Sequence, residues 1–100
     1  MTDSNAGTTY RFSLTGPDAE PGVLKAVLAL ALRETEILFG RARLKLETSY
    51  EMSPKRPACT VEGGTECGDH LAKILSGFLI KQVGESGFSV ERLRRAEHKP

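Results

Sequence analysis

Apolar positions recur along this chain with two periods, and the switches between them lay out the elements. Tyr10, Phe12 and Leu14 alternate with Thr9, Arg11 and Ser13, which predicts a strand with one face in a core. From Pro21 to about Phe39, strong helix formers carry apolar side chains at three- and four-residue spacing. Asp18 and Glu20 stand ahead of them, where the helix dipole favours negative charge, and Gly40 ends the run. Leu44, Leu46, Thr48 and Tyr50 alternate with Arg43, Lys45, Glu47 and Ser49, which predicts a second half-buried strand. Prolines at 54 and 57 make a turn, after which Cys59 and Val61 alternate with Thr60 and Glu62 as a third. Thr65 is a suitable N-cap for a helix in which Cys67, Leu71, Ile74, Leu75, Phe78 and Leu79 share a face up to Gly84. Gly87 opens a last strand, with Phe88 and Val90 on one side and Ser89 and Glu91 on the other.

The order βαββαβ predicts an α+β, ferredoxin-like domain: a four-stranded antiparallel sheet with two helices on one face. The domain is expected over residues 9–94, between a disordered tail at 1–8 and a basic tail at 95–100. By alternation the open sheet face carries Thr9, Arg11, Ser13, Arg43, Lys45, Glu47, Thr60, Glu62, Ser89 and Glu91. These are mixed in sign and include no aromatic ring. Readers of single-stranded RNA with this topology stack bases on central-strand aromatics, so the face reads as solvated and held by cross-strand ion pairs.

Charge and composition narrow the classes further. Fourteen basic against thirteen acidic residues leave no dense positive field for nucleic acid or an anionic membrane. A weak nucleic-acid contact would need Arg43, Lys45, Lys55, Arg56 and the basic tail clustered on one surface. No apolar run approaches a bilayer span, and the polar start and two cysteines suit a reducing cytoplasm better than a disulfide scaffold. The chain is expected to act without a cofactor and without catalysis. It shows no nucleophile, base and orienting group in a usable order, and the first turn has none of the arginine that acylphosphatases of this topology place beside it.

The turn from the first strand into the first helix is the most unusual segment, because two Gly/Pro pairs bracket an acid at the point where backbone must be exposed. Gly16-Pro17-Asp18 and Pro21-Gly22-Val23-Leu24-Lys25-Ala26-Val27, in a βαββαβ chain, resemble the ACT domain. There the turn reads Asp-Arg-Pro-Gly before an apolar pair; here an extra residue separates Asp18 from Pro21. The resemblance implies a small regulatory module that holds an amino acid or similar metabolite with this turn, at a side-by-side interface between paired domains. Gly16, Asp18, Gly22 and Val23 are the expected ligand-binding residues.

Two further groups carry candidate chemistry. Helix 1 is apolar around more than half its circumference. Leu24, Val27, Leu28, Ala31 and Leu38 suit the core, while Val23, Leu30 and Ile37 form a row with no obvious intrachain partner, which predicts a homodimer or another protein contact. Cys59, Cys67 and His70, near Thr65 and Asp69, offer an alternative function as a thiol or metal site. Periodicity turns both cysteines inward, and their spacing matches no zinc pattern, so packing is the expected role.

Overall fold

The computed structural model describes residues 8–17 and 19–94. Its elements are β1 (Thr8–Leu14), α1 (Pro21–Phe39), α2 (Arg41–Glu47), β2 (Tyr50–Met52), β3 (Ala58–Glu62), α3 (Glu66–Val83), a 3-10 turn (Glu85–Gly87) and β4 (Phe88–Arg94). The strands form one antiparallel sheet in the order β2-β3-β1-β4, the ferredoxin-like arrangement of an α+β fold. In the register, Phe12 stands opposite both Cys59 and Val90, while Arg11 stands opposite both Thr60 and Glu91. One sheet face therefore meets the helices and the other remains open. On the covered side Phe12, Leu14, Cys59 and Val61 pack with Leu24, Val27, Leu28 and Ala31 of α1 and with Leu71, Leu75 and Leu79 of α3. Each large apolar side chain enclosed here contributes about 1.5–3 kcal/mol relative to exposure.

The second strand differs from the sequence expectation. Residues 41–47 form the short helix α2, so the described residues form three α-helices rather than two, and β2 is only the three residues Tyr50–Met52. Arg, Ala, Leu, Lys and Glu are all good helix formers, and Arg43 and Glu47 pair at the i,i+4 spacing of a helix. Gly40 makes the corner into α2 with φ of 92°, a conformation other residues rarely adopt. The alternation of Leu44 and Leu46 did not mark burial, since Leu46 is 85% exposed. Arg43, Lys45 and Glu47 consequently leave the open sheet face and belong to α2.

The domain boundary also moves by one residue: Thr8, expected in the tail, is buried in β1. The expected tails otherwise fall on residues 1–7 and 95–100, outside the described residues. In α1, Leu24, Val27, Leu28 and Ala31 are buried as expected, but Leu38 is 62% exposed. The buried position near that end is Thr35, whose hydroxyl donates to the Ala31 carbonyl at 2.8 Å and so enters the core with its polar atom satisfied.

Candidate functional site

The turn that leaves β1 is fixed against the far end of α3. Thr15 N–H donates to the Gly87 carbonyl at 2.9 Å, and Ala19 N–H closes the turn on the Gly16 carbonyl at 3.1 Å. Between them lies a depression of about 230 Å³ lined by Leu14, Gly16, Pro17, Ala19, Gln82, Val83, Ser86 and Gly87. Close backbone approach shapes it. A Cβ on Gly16 would sit 3.6 Å from the Gly87 Cα, and one on Gly87 would lie 2.8 Å from the Val83 Cβ, so Gly87 cannot carry a side chain without displacing α3.

Only part of the expected ligand set reaches this depression. Gly16 lines it, and Asp18 lies outside the described residues. Gly22 is exposed at the start of α1, where an added Cβ would meet nothing within 4 Å, and the half-buried Val23 packs against the core. Gln82, Val83, Ser86 and Gly87 were missed by sequence reasoning. Their only signal was the Gly84 to Gly87 punctuation after the third helix, which reads as a simple connector.

Because Val23 packs inward, the expected three-residue row on α1 shortens to Leu30 and Ile37, which are 56% and 72% exposed. Leu38, on the same helix, and Leu46 on α2 are also exposed. Leu32 packs on the core, and Phe39 makes an edge-on contact with the His70 ring at 5.3 Å with the Arg43 guanidinium 4.9 Å over its face.

Both cysteines are free and buried, as packing residues would be. Burial pushes the Cys59 thiol up to about 11, and burial followed by the nearby Glu47 charge raises that of Cys67, so both are held as neutral thiols. His70 instead serves Phe39, and among the described residues no group of three His, Cys, Asp or Glu is arranged to hold a metal ion.

The junction of α2 with α3 is a polar clamp. Arg43 donates to Glu47 at 2.8 Å and to Glu66 at 3.1 Å, while Glu47 also accepts from the Cys67 N–H at 3.3 Å. These bonds from Arg43 hold the Glu47 carboxyl below its usual range, and the two acids raise the guanidinium in turn. Arg43 is thereby engaged by two carboxylates.

On the open sheet face, Arg11 donates through Nε to Glu91 at 2.9 Å and Thr9 donates to Glu62 at 3.0 Å, the cross-strand pairing expected of a solvated face. A shallow hollow of about 240 Å³ lies beside Arg11, Glu51, Arg56 and Thr60, with both signs of charge around it. No helix of the described residues is long and apolar enough to cross a membrane. No protein-family model matches the chain, and no curated protein or solved structure matches it significantly.

Proposed function

We propose that this domain is a non-catalytic binding module that takes a small metabolite of amino-acid size in the depression between the β1–α1 turn and the end of α3. One observation carries the reading: two distant segments are brought into backbone contact at Gly16 and Gly87 around a concave surface of mixed polar and apolar character that includes two neutral polar side chains, Gln82 and Ser86. Ligand pockets for larger molecules run to about 300–1,000 Å³. At about 230 Å³ this one suits only a small molecule. The ACT-like turn supports a regulatory role, and the two neutral, buried thiols support a reducing, cytoplasmic setting.

Titrating 15N-labelled protein with a panel of free amino acids and related small acids tests this. Shifts confined to the amides of Gly16, Ala19, Gln82, Val83, Ser86 and Gly87 are the expected result. A panel that shifts none of them removes the reading.

A second reading, a protein-contact module, is favoured by a different observation, the exposed Leu30, Ile37, Leu38 and Leu46. It supports association of α1 with a partner protein or with another copy of the chain. Leu30→Asp would weaken that association without touching the depression.

A further inference from the structure

We infer that the open sheet face holds a second ligand site, separate from the β1–α1 depression, in which Arg11 and Arg56 clamp the phosphate group of a small metabolite. Two hollows meet on that face, one of about 240 Å³ on the β2 side and one of about 270 Å³ on the β4 side. They share Arg11, Arg56 and Ala58, while Glu51 lines only the first and Glu91 only the second. The wall common to both is therefore basic, and the acids stand to either side of it. In the register Glu51 pairs with Thr60 and Thr60 with Arg11, so Glu51 lies two strand spacings, about 10 Å, from Arg11.

The donors along this wall are both available and held in place. Arg11 directs Nε and Nη2 at a single oxygen of Glu91, which leaves its Nη1 group without a partner among the described residues. Arg56 makes no ion pair with any described residue, and the Ser13 and Thr60 hydroxyls make no hydrogen bond among them. The backbone of Arg56 is fixed on both sides. Its N–H donates to Ser53 Oγ at 3.3 Å, its carbonyl accepts from the Ala58 N–H at 2.8 Å, and the following Pro57 carbonyl accepts from the Leu14 N–H of β1 at 2.9 Å. Two guanidinium groups beside one hollow repel, and an anion between them relieves that repulsion. The donors come from β1, from β3 and from the turn at 53–57 rather than from one plane, which suits the three terminal oxygens of a phosphate better than the two of a carboxylate. Met52 and Pro54, in the first hollow, offer an apolar surface to the organic part of the ligand.

Titrating 15N-labelled protein with inorganic phosphate and with phenyl phosphate, each against chloride at equal ionic strength, tests this. Saturable shifts are expected at the Arg11 and Arg56 Nε–H groups and at the amides of Ser13 and Thr60, with phenyl phosphate binding more tightly than inorganic phosphate. Arg56→Gln should weaken binding about tenfold, the loss that one charge-assisted bond implies. Glu91→Gln frees Arg11 and should tighten binding several-fold, an effect that a merely structural ion pair would not give. Should Arg56→Gln misfold, Glu91→Gln decides. Shifts that never saturate or spread equally to Lys25, Lys73 and Lys81 would reduce the site to charge screening and overturn the inference, as would unchanged affinity in folded Arg56→Gln or unchanged or weaker affinity in Glu91→Gln. The readout is independent of the amino-acid titration, since phosphate should leave the amides of Gly16 and Gly87 unmoved.

Discussion

The hydroxyl of Thr65 donates to the Glu47 carbonyl at 2.6 Å and accepts from the Gly68 N–H at 2.9 Å. One side chain thus caps the N-terminus of α3 and ties it to the C-terminus of α2. Gly68 completes the joint, since a Cβ there would lie 2.6 Å from the Glu62 carbonyl and 2.8 Å from the Thr65 hydroxyl. Thr65→Ala is expected to cost about 1–2 kcal/mol from the lost cap, read as a lower urea midpoint. Gly68→Ala forces a backbone shift and should cost more, about 1–3 kcal/mol by overpacking. An unchanged midpoint in both variants would show that the joint does not contribute to stability.

Glu47 sharpens the same point through pH. Its carboxyl is held below the usual range first by the Arg43 hydrogen bonds, so the folded state binds this proton less readily than the unfolded one. The stabilisation it provides is present above the ordinary carboxylate pKa and fades as pH falls through the depressed folded value. Glu47→Gln should therefore unfold more readily than the unmodified chain at pH 7, with the gap narrowing in acid. A gap that widens in acid would contradict the assignment.

The depression can be closed without breaking the fold. Gly16 has an ordinary backbone angle, and a Cβ there meets only van der Waals neighbours, whereas its outer atoms would enter the concave surface. Gly16→Val should fold with a thermal midpoint within a few degrees of the unmodified chain and lose the amino-acid-induced amide shifts. Retained shifts would place the ligand elsewhere.

The sequence made the fold class and core legible because Phe12, Val61, Leu71 and Leu75 sit where strong period-two or helical patterns demand burial. It misplaced β2 because residues 43–50 satisfy strand alternation while their composition favours helix. With Leu46 in water and Glu47 held by Arg43 and by the Cys67 amide, local propensity prevailed over the pattern. The i,i+4 Arg43–Glu47 spacing was the available clue. The depression was half legible: the β1–α1 turn announced itself through Gly and Pro. Its other wall, Gln82 to Gly87, is joined to it only by a contact between residues 15 and 87, which no local pattern encodes.

The thiols give the last test. Cys59 lies in the core between Phe12 and Met52 in the sheet register, and burial alone lifts its pKa from an ordinary 9.0 to about 11. The folded state therefore favours the neutral thiol, and the stability this gives is fully present below pH 9 and lost as pH rises toward 11. Cys59→Ala removes the titration and also a small buried group. Together with Cys67→Ala it should cost about 1–3 kcal/mol at pH 7 through lost packing. Guanidinium unfolding from pH 7 to 11 should show a smaller alkaline loss of stability in Cys59→Ala than in the unmodified chain, and thiol reagents should label the native protein slowly until it unfolds. Rapid native labelling of either cysteine, or identical alkaline slopes in the two proteins, would mean that the core does not enclose these thiols.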